Sequence, residues 1–259
     1  MSDPIDLVEL LRKIGLRASR EALEAWLVHA AKTKASPAQT TEQLCLLEQR
    51  ERESRNLARR LKMATLGHPK PLDRFDWNHP RSVDRDLYEQ LHSSLDFIKR
   101  GENILLRGQA GVGKTTLAQN LALRALERGY TVRFCTLPAA LADLLRQESI
   151  PATERRLRRY TSPDLLCLDE LGYVPCDSRA ADLLFHIISR RHETRSVAIT
   201  TNLAFKQWGS VFHDASCLGA LVDRFAQHCH VIDIDADSWR NKEALKRGKA
   251  RKSKTPKDD

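Results

Sequence analysis

Two hydrophobic rhythms divide the chain. Up to about residue 66, apolar residues recur every three or four positions, the period of a helix with one buried face. Leu7, Leu10, Leu11 and Ile14 mark the first stripe, within Ile5–Ile14. Leu23, Trp26, Leu27 and Ala30 mark the second, with Ser19 placed to cap it and Glu21 in its first turn. Ser36-Pro37-Ala38-Gln39 has the form of a capping box with proline at the first helical position. It predicts a long helix through Leu44, Leu47, Leu57 and Leu61 towards Leu66. Gly67, Pro69, Pro71 and Pro80 then predict a linker.

From about residue 84 the rhythm changes to short apolar runs alternating with amphipathic helices, the pattern of a parallel α/β sheet. The strand runs are Asn103–Arg107, Thr131–Cys135, Leu165–Leu168, Val197–Thr200 and Val231–Ile234. The helices between them are Thr116–Arg128, Pro138–Arg146, Ser178–His192 and Cys217–Gln227. The pattern predicts an all-helical N-terminal domain over residues 1–66 and a linker over 67–83. An α/β domain with a five-stranded parallel sheet follows over 84–240, then a tail over 241–259. The 25 residues after the last strand run are mostly charged.

Composition narrows the class. At 259 residues, with 41% hydrophobic and 30% charged residues, the chain can bury a sizeable core and is not disordered. No run approaches the ~18 apolar residues of a membrane span. The opening Met1-Ser2-Asp3-Pro4-Ile5-Asp6 lacks the basic-then-apolar layout of a signal peptide. A cytoplasmic protein without membrane contact is expected. The six cysteines fall singly, which suits reduced thiols. His228-Cys229-His230 enters a strand, where successive side chains point to opposite faces, so the three do not converge on a metal.

The net charge of +9 is clustered. Residues 240–259 hold nine basic residues against three acidic ones, Arg50–Lys62 six against two, and Glu154–Arg159 four against one. Three such clusters point to a polyanion, and nucleic acid is the expected partner. Arg55, Arg59, Arg60, Lys62, Arg155, Arg156, Arg158 and Arg159 are the candidate phosphate contacts, in the helical arm and in a loop region ahead of the third strand run.

Gly108-Gln109-Ala110-Gly111-Val112-Gly113-Lys114-Thr115 fits G-x-x-x-x-G-K-[ST] between a predicted strand and a predicted helix, with Thr116 following. The glycines let successive N–H groups face one concavity, and the helix start adds its positive end. Lys114 would reach the β- and γ-phosphates of ATP, and the Thr115 hydroxyl would ligate Mg²⁺. The run Leu165–Leu168 ends in Asp169-Glu170, fifty-five residues after Lys114. Carboxylates emerging there lie at the strand ends where ligands gather in a parallel sheet. Asp169 suits Mg²⁺, and Glu170 suits a base that orients water, which a small-molecule kinase would not need. Asn202, after Thr200-Thr201, lies at the next strand end and could position the water. Arg224, near the end of the helix before the last strand, is placed to reach a neighbouring subunit as an arginine finger. Arg190 and Arg191 are weaker candidates for such a contact.

These motifs carry a resemblance to the IstB family, AAA+ ATPase helpers of insertion-sequence transposition similar to the DnaC/DnaI helicase loaders. The matching stretches are Leu72-Asp73-Arg74-Phe75-Asp76, Asn103–Leu117, Leu168–Pro175, Ile199–Asn202 with Trp208 and Phe212, Leu221–Phe225 and Ser238-Trp239-Arg240. The resemblance implies an ASCE-type P-loop NTPase fold, here without the full helical C-terminal lid of a typical AAA+ protein, for which 25 residues after the last strand run are too few. It also implies ATP-driven homo-oligomerisation on duplex DNA, largely independent of sequence, and recruitment and stimulation of a cognate transposase. Lys114, Thr115, Asp169, Glu170, Asn202 and Arg224 take the AAA+ roles by position. Three departures stand out: Trp239 replaces the family's usual Tyr, Ala236 its Gly, and Thr116 its His, and no role follows for Arg240. A replicative-helicase loader would use the same core, and an adaptor gated by nucleotide would bind without appreciable hydrolysis.

Overall fold

A computed structural model describes residues 6–33, 35–173, 176–212, 215–239 and 242. Ile5, Arg240 and the tail over 243–259 lie outside the described residues. The chain divides into two compact units, Met1–Arg60 and Leu61–Asp259.

The first unit is helical, as its periodicity predicts: α1 (Leu7–Lys13), α2 (Arg20–Lys32) and most of α3 (Pro37–Ala64), whose last residues belong to the second unit. The predicted caps form. Ser19 Oγ accepts from the Ala22 N–H at 3.1 Å, and the Ser36–Gln39 box closes through bonds of 2.9 and 3.3 Å. Val8, Ala18 and Leu23 make a small core with Leu11, Leu27, Leu44 and Leu47 around it. Glu48 ties α3 to the turn before α2, accepting from the backbone N–H groups of Arg17 and Ala18, each at 2.7 Å.

After the end of α3, the second unit continues with a three-residue 3-10 turn, Leu72–Arg74, followed by β1 (Ser82–Val83), α4 (Arg85–Ser94) and α5 (Asp96–Arg100). Then come β2 (Asn103–Gly108), α6 (Lys114–Glu127), β3 (Val132–Thr136), α7 (Leu137–Leu145) and α8 (Ile150–Thr161). The chain continues through β4 (Leu165–Leu171), α9 (Ser178–Arg191), β5 (Ser196–Thr201), α10 (Leu218–Ala226) and β6 (Cys229–Asp235). The sheet order is β1-β6-β2-β5-β4-β3. The five expected strands are mutually parallel, and the described residues add a sixth, β1, antiparallel to β6 at one edge.

Three features depart from the sequence reading. β1 has two residues and no apolar run, and it exists because Val83 pairs with Ile234 on an otherwise open edge. The segment expected as a linker is seated in the second unit by aromatic packing: Phe75 on Trp77 at 4.7 Å between centroids, and Trp77 on Tyr88 at 5.5 Å. The basic region before β4 is the helix α8, not a loop. It is capped by Ser149 and has proline in its first turn, and it offers only Leu157 and Tyr160 as buried residues, too few to show as a stripe.

Side chains alternate along β4. Leu166 and Leu168 join a core under α7 to α10 with Trp208 and Phe225, while Leu165 and Cys167 are equally buried on the opposite side. α6 packs across β2, β3, β4 and β5. No helix among the described residues is long and apolar enough to cross a membrane.

Candidate functional site

The sheet order places β5 between β2 and β4, so the C-terminal ends of these three strands adjoin. They carry the glycine-rich loop, the pair Asp169-Glu170 and Asn202, three features separated by more than fifty residues of sequence from first to second.

The loop runs from Gly108 at the end of β2 into α6. Gly111 and Gly113 have φ of +82° and +103°, a region that side chains strain to adopt. Both are also closely covered. A methyl group on Gly113 would come to 2.5 Å from Phe75 Cε2, and one on Gly111 would collide with Ser238. Most longer helices begin on a side chain that accepts from their first turn, such as Ser19, Asp84, Thr136, Ser149 and Asp177. α6 begins on Gly113 with no side-chain cap, so its first N–H groups are left for an anion. Lys114 is 6% exposed, and its Nζ donates to the carbonyls of Gly108 and Gln109 at 2.8 Å each, folded over the loop it would serve. Gln109 and Ala110 are exposed at the tip, Val112 is buried beneath it, and Thr116 is half-buried in the first turn of α6.

Thr115 and Asp169 meet, with Thr115 Oγ1 donating to Asp169 Oδ1 at 3.1 Å. Asp169 is 4% exposed. A hydroxyl and a carboxylate side by side are the hard oxygen donors Mg²⁺ prefers, and phosphate oxygens and waters complete its shell in sites of this kind. The residues present therefore fit the ion. Glu170 is exposed and has φ of +67°, a left-handed conformation unusual for a residue with a side chain. Asn202 is exposed after β5, with its Oδ1 beside Gly172, two residues beyond Glu170.

The arginines separate. Arg224 lies on α10, which returns the chain to the start of β6, at the opposite end of the sheet from the glycine-rich loop. Its guanidinium rests 4.8 Å from the Phe185 ring centroid and donates to Ser189 Oγ. Arg190 forms a two-pronged pair with Glu154, at 2.7 and 2.8 Å. Arg191 is 1% exposed and donates to the carbonyls of Tyr160, Pro163, Asp164 and Ser196. It locks the starts of β4 and β5 and has no reach to another subunit, contrary to the sequence expectation. A position at the end of an amphipathic helix does not distinguish an arginine turned inward.

The candidate phosphate contacts separate as well. Arg155, Arg158 and Arg159 are exposed on α8, and Arg59 and Lys62 are exposed on α3. Arg156 turns inward to Asp143, whose carboxyl it holds below the usual range, with Tyr160 Oη donating to the same group at 2.5 Å. Arg55 donates to the Arg17 carbonyl, and Arg60 is half-buried.

Sequence reasoning assigned no role at the site to four residues that the structure places there. Phe75 and Ser238 cover the loop, and the Trp239 N–H donates to the Gly111 carbonyl at 3.0 Å. Thr200, on β5, contacts both acidic residues of β4. The apolar partners of Phe75 give some signal, whereas a polar residue inside a strand run gives none.

A parallel sheet with a strand inserted between the phosphate-loop strand and the acidic strand, and a glycine-rich loop feeding a helix, defines a P-loop NTPase of the AAA+ class. Solved structures share this fold. The structure of DnaI matches at a TM-score of 0.50 and 20% identity, covering 57% of this chain and 81% of that one. The replication initiator DnaA bound to AMPPCP and single-stranded DNA matches at a TM-score of 0.51 and 22% identity, covering 68% and 56%. Within the class, the family model of the IstB-like ATP binding proteins matches residues 9–247, and the chain belongs to that family. It is 34% identical over 257 residues to the insertion sequence IS21 ATP-binding protein of Pseudomonas aeruginosa, covering 98% of this chain and 96% of the relative. It is also 34% identical over 193 residues to the corresponding protein of IS5376 from Geobacillus stearothermophilus, covering 74% and 76%.

Proposed function

We propose that the chain is a Mg²⁺-dependent ATPase that assembles with ATP on duplex DNA, and there recruits and stimulates the transposase of its insertion sequence. The observation that carries the reading is the convergence of Lys114, Thr115, Asp169, Glu170 and Asn202 at three adjoining strand ends, with Thr115 bonded to Asp169.

In this reading the loop N–H groups and the start of α6 bind the phosphates, and Lys114 turns from the loop carbonyls to the β- and γ-phosphate oxygens. Thr115 and Asp169 would hold Mg²⁺, which when bound neutralises phosphate charge. The exposed Glu170 carboxylate accepts a hydrogen bond from the attacking water and directs it in line with the γ-phosphate. Asn202 donates to the same water or to a γ-phosphate oxygen. Arg224 faces away from its own loop, so its contribution comes to the ATP of an adjoining subunit, which makes turnover depend on assembly. Arg59, Lys62, Arg155, Arg158 and Arg159 contact DNA phosphates, so affinity falls steeply with salt and depends little on sequence.

The test is steady-state ATP hydrolysis and duplex binding by the wild type and Glu170→Gln. The variant is expected to bind ATP and DNA normally while turnover falls by about two to four powers of ten, the usual contribution of a general base. Normal turnover in the variant removes Glu170 from the mechanism, and absence of hydrolysis in the wild type, with or without duplex, refutes the ATPase reading.

A further inference from the structure

The strand β4 cannot present Glu170 by simple alternation. Leu166 and Leu168 point into the apolar core, and the next residue of that series is Glu170. Its carboxylate would follow them under the core. The ladder with β5 avoids this by slipping: Leu168 pairs with Ile199, but Leu171 pairs with Thr201, so β4 carries one extra residue between these pairs. A bulge of this kind turns a side chain to a new direction. Leu171 then takes the buried place, and Glu170 emerges exposed with φ of +67°.

Something must hold a left-handed glutamate in place, because sterics alone oppose it. The bonds in reach come from β5. The Thr200 hydroxyl has one proton to give and lone pairs to accept with. It donates to Asp169 Oδ1 and accepts from the Glu170 backbone N–H at 3.0 Å. Thr200 is 2% exposed, so water does not substitute readily for either bond. One residue on, Thr201 Oγ1 donates to the Leu171 carbonyl at 2.8 Å and closes the far side of the bulge.

We propose that Thr200 is a positioning residue of the hydrolytic centre: its hydroxyl fixes the Asp169 carboxylate and the Glu170 backbone to one point. That sets the direction from which Glu170 addresses water. Thr200 touches neither ATP nor water in this account and acts through its two neighbours. The inference rests on the ATPase reading.

The experiment compares ATP turnover, KM and binding of a non-hydrolysable ATP analogue for the wild type, Thr200→Val and Thr200→Ser. Valine keeps the shape and loses both bonds, whereas serine keeps the hydroxyl. Displacing a catalytic group by about an ångström costs on the order of a hundredfold, so kcat of Thr200→Val is expected to fall about that far. Its KM and analogue affinity should stay within about threefold of the wild type, because the phosphate loop is untouched. Thr200→Ser should recover turnover to within about threefold of the wild type. In a Glu170→Gln background, adding Thr200→Val should cost far less than the roughly hundredfold it costs in the wild type, since the part of its action that runs through the Glu170 carboxylate has nothing left to direct. Thr200→Val with wild-type kcat overturns the proposal, as does a folded Thr200→Ser that loses turnover as the valine variant does. If Thr200→Val does not fold, the serine variant alone decides: near-wild-type turnover supports the role and loss overturns it. A wild type without hydrolysis refutes the ATPase reading instead, and the two failures are thereby distinct.

Discussion

Lys114, buried and folded over its own loop, shows how the site is prepared before phosphate arrives. An ammonium that is 6% exposed needs acceptors, and the Gly108 and Gln109 carbonyls supply them at a place from which a short rotation reaches an anion. The loop backbone is held from outside by Phe75 and Ser238. Gly113→Ala combines a strained φ of +103° with a methyl 2.5 Å from Phe75 Cε2. We expect it to destabilise by about 1–2 kcal/mol and to lose nucleotide binding, with the melting temperature falling about 2–4 °C per kcal/mol. An alanine variant that melts and binds as the wild type does would show that the loop tolerates another path. Asp143 offers a prediction in pH. The hydrogen bond from Arg156, then that from Tyr160, lowers its pKa in the folded protein. The stability it contributes is therefore present above the unfolded value of about 3.9, and is lost as pH falls through the folded value. Denaturant melts of the wild type and Asp143→Asn should differ at neutral pH and converge only as pH falls below about 4 and on through the folded value. A constant difference across that range would contradict the assignment.

At the scale of elements, α8 shows how one face of a helix can be held to the core while the other is left to solvent. Leu157 and Tyr160 hold it to the core and Arg156 ties it to Asp143, which leaves Arg155, Arg158 and Arg159 outward. Charge reversal at Arg155, Arg158 or Arg159 is expected to weaken duplex binding for all sequences and to reduce the salt dependence by about one ion per lost phosphate contact. Arg156→Ala is expected to lower stability with little effect on that slope, and titrations at several salt concentrations separate the two. The sequence made most of these elements legible. The five apolar strand runs and the glycine-rich loop are local signals strong enough to read directly, and Ser19 and Ser36 announced helices α2 and α3. What escaped depends on partners distant in sequence. Two-residue β1 exists only because β6 offers an edge, and α8 hides a narrow buried face among arginines. The inward turn of Arg191 and the two hydrogen bonds of the Thr200 hydroxyl are fixed by β4 and β5 meeting, which no local window contains. Lys114, Thr115 and Asp169 were legible as a set for the opposite reason: their spacing maps onto strand ends that adjoin.

For the molecule as a whole, the proposed mechanism makes catalysis and assembly two sides of one arrangement. Arg224 lies at the opposite end of the sheet from the loop of its own subunit, so in the proposed mechanism one chain supplies Glu170 and the next supplies Arg224. Arg224→Ala should bind ATP normally yet turn over at least about a thousandfold more slowly, the usual effect of losing an arginine finger. Mixing it with Glu170→Gln should restore activity, since a mixed interface joins an intact Glu170 to an intact Arg224. No recovery at any mixing ratio would place Arg224 outside the site. In the proposed mechanism ATP and duplex DNA together drive assembly, and mass measurement in solution reads this most directly. With a non-hydrolysable ATP analogue and duplex DNA present, the mass should rise well beyond one chain plus DNA, and it should not rise when either is omitted or when Lys114 is replaced by alanine. A mass that is the same with and without nucleotide would contradict the account.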